Sequence, residues 1–139
     1  MTQRILAEKV LELVDKFPIV AITGLRQSGK TTLSKMIKPN YKYVNLENLS
    51  DRKFAKTDPI GFLTTYQNGV IIDEIQNVPS LFSYLQIVTD ERNINGEYII
   101  TSSQNFLMTE QITQSLVGRV ALFTEVLRAK KEQIIRYIR

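Results

Sequence analysis

Gly24, Gly29, Lys30 and Thr31 spell Gly-x-x-x-x-Gly-Lys-Thr, set between the apolar run Ile19-Val-Ala-Ile-Thr23 and a helix-like stretch. Residue types in that order suit a nucleoside triphosphate. The glycines permit a tight turn in which successive backbone N–H groups converge on phosphate oxygens, and the N-terminus of the following helix adds a positive dipole end. The expected cradle comprises Gly24, Leu25, Arg26, Gln27, Ser28, Gly29, Lys30, Thr31 and Thr32. Within it Lys30 would reach the β- and γ-phosphates and the Thr31 hydroxyl would bind magnesium. Arg26 reads as a solvent-facing residue of that loop.

A second group of residues completes the chemistry. Gly69-Val-Ile-Ile-Asp73-Glu74 is a short apolar run that ends in two adjacent carboxylates. Such a run reads as a buried parallel strand whose C-terminal end emerges where open α/β sheets place their ligands. Asp73 is then a magnesium ligand, directly or through water. Glu74 is the base that polarises the attacking water, because hydrolysis needs an oriented nucleophile within hydrogen-bond reach. Thr101-Ser102-Ser103-Gln104-Asn105 follows the apolar Tyr98-Ile-Ile100, so Ser103 or Thr101 is placed to contact the γ-phosphate or its water. Capping of the next helix by Ser103 or Asn105 is an equally compatible role. Arg119 opens the last strand, and its planar, permanently charged guanidinium suits developing phosphate charge. An ordinary strand-end ion pair is the competing role for it.

Several classes of chemistry are excluded by composition. The chain has 139 residues, 43% hydrophobic, with no cysteine and no histidine. Disulfides, thiolate nucleophiles, imidazole bases and the usual zinc ligands are therefore absent. Carboxylates, lysine, hydroxyls and a metal ion must carry any catalysis. One domain is expected at this length. No stretch of about 18 apolar residues suggests a membrane span, and no leader is evident, so a cytoplasmic protein is expected.

The net charge of +4 comes from the end of the chain, where Arg128, Lys130, Lys131, Arg136 and Arg139 face a single acid, Glu132. With Leu127, Ile134, Ile135 and Ile138 at helical spacing, residues 127–139 read as a basic amphipathic helical tail. It lends weak support to nucleic acid or an acidic protein as partner; a solvated helix is the plainer reading.

The elements that must position these residues follow from periodicity and breakers. Ile5, Leu6, Val10, Leu13, Val14 and Phe17 form a helical stripe over residues 2–16, ended by Phe17-Pro18. The spacing predicts a helix from Lys30 to Ile37, a strand from Tyr41 to Leu46, and a helix from Asp58-Pro59 through Tyr66. A helix opened by Pro79 buries Leu81, Phe82, Leu85 and Val88. A turn at Asn93-Ile-Asn-Gly96 precedes a strand from Glu97 to Ser102. Phe106 to Leu116 reads as a helix and Arg119 to Val126 as a fifth strand. Alternating short strands and helices imply a parallel sheet covered on both faces.

The sequence resembles the predicted AAA+ ATPases of bacteria and archaea that join an N-terminal phosphate-loop domain to a C-terminal domain of poorly defined function. The resemblance rests on Ile22-Thr-Gly-Leu-Arg-Gln-Ser-Gly-Lys-Thr-Thr-Leu33, Val44-Asn-Leu-Glu-Asn48 and Val70-Ile-Ile-Asp-Glu-Ile-Gln-Asn-Val-Pro79. It extends to Tyr98-Ile-Ile-Thr-Ser-Ser-Gln-Asn105 and Ser115-Leu-Val-Gly-Arg-Val-Ala121. It implies a three-layer αβα P-loop fold with a five-stranded parallel sheet in the order 5-1-4-3-2, and ATP with Mg2+ as cofactors. It also implies Asp73 and Glu74 as the acidic pair, Thr101 to Ser103 as the sensor region, and Arg119 as finger or sensor arginine, which would need a homo-oligomer if it acts in trans. Ser102 stands where the family usually has glycine. After Phe123 the family's pattern stops, so residues 1–126 read as the ATPase core, with the lid and second domain absent. The expected function is Mg-dependent ATP hydrolysis. The alternatives are a nucleotide-binding interaction module or remnant with little hydrolysis, and a phosphotransferase on the same loop.

Overall fold

Strands that are apolar along their whole length must be covered on both sides, and β1 (Ile19–Thr23), β3 (Val70–Asp73) and β4 (Tyr98–Ser102) are buried at every position. The structure, a computed structural model, describes residues 3–23, 35–116, 118–125 and 133–138. With β2 (Lys42–Asn45) and β5 (Val120–Glu125), these strands form a parallel sheet in the order β2-β3-β4-β1-β5. This is the expected fold class and strand order. β1 is central, flanked by β4 and β5.

Alternation along the strands sorts the core into two layers. Val20, Ile22, Ile71, Ile99 and Ala121 pack with Ala7, Val10, Leu13 and Val14 of α1 (Gln3–Val14) and with Ile37. Residues 35–37 are helical, the end of the helix expected after the phosphate loop. On the other face Ile19, Ala21, Val44, Ile72, Ile100 and Leu122 pack against four helices. These are α2 (Leu49–Thr57), α3 (Pro59–Thr65), α4 (Leu81–Arg92) and α5 (Asn105–Ser115).

Local chemistry sets the helix boundaries. Asn48 caps α2 by accepting the Asp51 N–H at 3.1 Å. Asp58 ends α2 and begins α3, accepting the Gly61 N–H at 3.0 Å, with Pro59 in the first turn where no N–H is needed. The expected turn after α4 is present: Asn93 closes the helix in the left-handed region (φ 49°), and Gly96 (φ 73°) leads into β4. A Cβ on Gly96 would lie 2.8 Å from the Val14 carbonyl oxygen, so close approach as well as φ requires glycine there.

Two expectations change. α2 was not foreseen. The basic amphipathic helical tail is corrected over residues 133–138, which form a sixth strand, β6 (Gln133–Ile138), antiparallel to β5 from Val120↔Ile138 to Glu125↔Gln133. Residues 126–132 and 139 of that tail lie outside the described residues. The isoleucines and Tyr137 favour strand as readily as helix, and pairing satisfies backbone groups that the edge of β5 would otherwise leave open.

Candidate functional site

In a parallel sheet all strand C-termini meet at one edge, and here that edge gathers the predicted acids. Thr23 ends β1 beside Ser102 and Thr124. Asp73 ends β3 beside Asn45, one step beyond the pair Ile72↔Ile100. The phosphate-loop residues Gly24 to Thr32 lie outside the described residues.

Asp73 is fully buried, and both its carboxylate oxygens accept hydroxyl donors. Thr101 of β4 donates to Oδ1. Tyr43 of β2 donates to Oδ2 at 2.5 Å. The acid is thereby held from the strands on either side of its own. Thr101 acts twice, since its Oγ1 also accepts the backbone N–H of Glu74 at 3.1 Å.

Glu74 is 2% exposed and sits in the left-handed region (φ 58°, ψ 51°). Its Oε1 accepts from Gln76 Nε2 at 2.8 Å, from the Ser103 hydroxyl at 3.2 Å and from the Ser103 N–H at 3.3 Å. Its carbonyl accepts from Asn77 Nδ2 at 3.2 Å. The strand end and the one-turn helix over Ile75–Asn77 therefore close around one carboxylate. Ser103 is exposed and does not cap α5. The helix is preceded by Gln104, which makes no side-chain capping bond, so the capping role offered as one option for Ser103 is corrected; the side chain of Asn105 lies outside the described residues. Competition explains it: the hydroxyl that could cap is turned to Glu74. Ser102, in the family's glycine position, is an ordinary strand residue without positive φ. Its hydroxyl accepts the Gln104 N–H at 3.0 Å.

Arg119 is elsewhere. It precedes β5 at the N-terminal edge of the sheet, where its carbonyl accepts the Ile19 N–H at 3.2 Å. The five residues of β1 separate it from Thr23, roughly 16 Å of strand. Its guanidinium forks onto Asp90 of α4, Nε to Oδ1 and Nη2 to Oδ2 at 2.9 Å. That hydrogen bond holds the Asp90 carboxyl below its usual range and raises Arg119 further. The pair borders an open hollow of about 440 Å³ lined also by Lys16, Pro18, Thr89 and Asn95. Arg119 and the acids of its own chain therefore occupy opposite edges of one sheet.

Sequence reasoning assigned no role to Tyr43, Gln76 or Asn77. Gln76 was visible two residues beyond Glu74. Tyr43 required the register of β2 on β3. Glu47, two residues beyond the end of β2, is exposed. Among the described residues no three or more acidic side chains cluster to hold a metal. The oxygen donors at Asp73 nonetheless fit Mg2+, which takes one or two carboxylates together with substrate phosphates.

A parallel sheet whose central strand leads in sequence into Gly-x-x-x-x-Gly-Lys-Thr, with an acid-ended strand one strand removed across β4, defines an ATP-binding P-loop module of the AAA type. Family comparison agrees with the geometry. The family described as AAA domain matches residues 16–127, and the chain belongs to that family. Uncharacterized proteins of Mycobacterium bovis and Mycobacterium tuberculosis are each 31% identical over 119 residues, 84% of this chain and 26% of theirs. The chain thus spans about a quarter of the length of the curated relatives it matches. Among solved structures, that of C. elegans PCH-2 aligns with a TM-score of 0.40 and 16% identity over 86% of this chain and 41% of that one. No helix among the described residues is long and apolar enough to cross a membrane.

Proposed function

We propose that the chain hydrolyses ATP, with Glu74 orienting and deprotonating the water that attacks the γ-phosphate. The supporting observation is the placement of Asp73 and Glu74 together at the C-terminal edge, buried and bound to Thr101 and Ser103, one strand removed from β1, after which Lys30 and Thr31 follow in sequence. A carboxylate fixed by Ser103 and Gln76 suits a base, because its position is set before substrate arrives. Asp73 and Thr31 would hold Mg2+. When bound, that ion would neutralise charge on the β- and γ-phosphates. Lys30 would pair with the same phosphates, while Thr101 keeps the two acids in fixed relation.

Arg119 enters this reading only from a second copy of the chain. A homo-oligomer whose interface sets one copy's N-terminal sheet edge near another's phosphates would bring the guanidinium within reach. Over residues 133–138 β6 stands in place of the basic helix that had suggested nucleic acid. Use of ATP and magnesium fits a cytoplasmic location.

Calorimetric titration of ATP and ADP with magnesium, on the wild type and Lys30→Ala, tests the reading when phosphate release is followed on the same samples. Binding with release, both lost in the variant, is the expected result. Binding without release would leave a nucleotide-binding interaction module. No binding at millimolar nucleotide would overturn the assignment.

A further inference from the structure

We infer that Tyr43 is a positioning residue for magnesium: its hydroxyl sets the orientation in which the Asp73 carboxylate meets the ion. This rests on the ATP–magnesium reading above and adds a residue from a strand to which that reading gives no chemistry. β2 is the outermost strand on its side of the sheet, and Tyr43 pairs in register with Ile71, two residues before Asp73. Side chains two residues apart on neighbouring strands share a face, and an aromatic side chain is long enough to reach such a diagonal neighbour. The Tyr43 hydroxyl does so, donating to Asp73 Oδ2 at 2.5 Å while Thr101 donates to Oδ1.

A carboxylate bonded at both oxygens from opposite sides has its plane fixed. A carboxylate oxygen carries two lone pairs, so a hydroxyl bonded to one does not by itself close that oxygen to a cation. The ring of Tyr43 is held in turn, since Lys35 Nζ lies 4.2 Å from its centroid. Lys35 belongs to the helical residues that follow the phosphate-loop segment. One aromatic side chain thus ties that helix, on one face of the sheet, to the acid at the end of β3.

Outer partners of metal-binding carboxylates change metal affinity by about 10- to 100-fold when removed. Tyr43→Phe deletes the hydroxyl and keeps the ring beneath Lys35. ATP affinity of the wild type and Tyr43→Phe is to be measured by calorimetry with magnesium in excess and again in chelator. The expected result is a loss of about tenfold with magnesium and no change in chelator. A merely structural role would lower both affinities together, and that outcome overturns the inference. Equal or tighter magnesium-dependent binding overturns it as well. If the wild type itself binds no ATP in either condition, the ATP reading falls and this inference with it; a wild type that binds tightly with an indistinguishable variant removes only the role of Tyr43.

Discussion

The two edges of the sheet hold charged residues in opposite ways. At the C-terminal edge Asp73 and Glu74 are buried, and donors from β2, β4 and the Ile75–Asn77 turn converge on them. At the N-terminal edge Arg119 and Asp90 form a two-pronged ion pair on the surface, with Asp90 half exposed. Buried carboxylates deprived of donors are costly, because water cannot replace the lost bonds. An exposed pair is solvated whether or not it forms. One edge is therefore a fixed framework and the other an adjustable surface, and the chemistry proposed for each follows from that contrast.

The sharpest way to break the contrast is at the C-terminal edge. Glu74→Gln should lower phosphate release by about 10²- to 10⁴-fold while ATP stays bound, as read by release assay and calorimetry in parallel. Undiminished turnover would remove Glu74 from the role of base. Arg119→Ala should leave ATP affinity of the isolated chain unchanged. Its effect on turnover should emerge only at protein concentrations where copies associate, measured as rate against concentration alongside light scattering. A loss that is the same at every concentration would refute action from a second copy.

Smaller effects compare stability. Thr101→Val keeps shape but leaves the Glu74 N–H and Asp73 Oδ1 without the hydroxyl they share, so unfolding should become easier by about 1 to 3 kcal/mol, read by denaturant titration. Asp90→Asn should shift the melting temperature far less. Because the Asp90 carboxyl titrates below its ordinary value of 3.8 when paired, the pair stabilises fully above that pH and its contribution is lost as the pH falls below it. Melting curves of wild type and Asp90→Asn should therefore converge in acid and differ slightly near neutrality. A variant that melts as low as Thr101→Val would place the N-terminal edge in the framework too.

How much of this the sequence reveals depends on whether local pattern or neighbouring chain decides. Strands buried on both faces read as unbroken apolar runs, which is why β1, β3 and β4 were legible together with the acids at their edge. α2 was not, because only Ala55 of its nine residues is fully buried and its apolar pattern is thin. Its one clear signal, Asn48 with Asp51 three residues on, is a cap rather than a stripe. The last segment was misread for another reason. Ile134, Ile135 and Ile138 fit a helix, but the open edge of β5 selects a strand. Tyr43 depended on register, which no single strand's sequence contains. Arg119 was correctly placed at the start of β5, and only the direction common to all five parallel strands reveals that this start is the wrong edge for its own acids.

The left-handed turn at Glu74 has a geometric meaning. Neighbours in an extended strand point to opposite faces, so an Asp-Glu pair continuing straight would divide its carboxylates between two layers of the protein. Reversing the sign of φ at the second residue lets Asp73 and Glu74 bond Thr101 and Ser103 along the same strand end. For a residue with a Cβ this conformation costs about 1 to 2 kcal/mol. Glycine or asparagine would sit there with less strain, and neither has a carboxylate. Conformational ease and chemical competence thus pull against each other at one position, where the backbone is bent away from its preference to keep two acids in company.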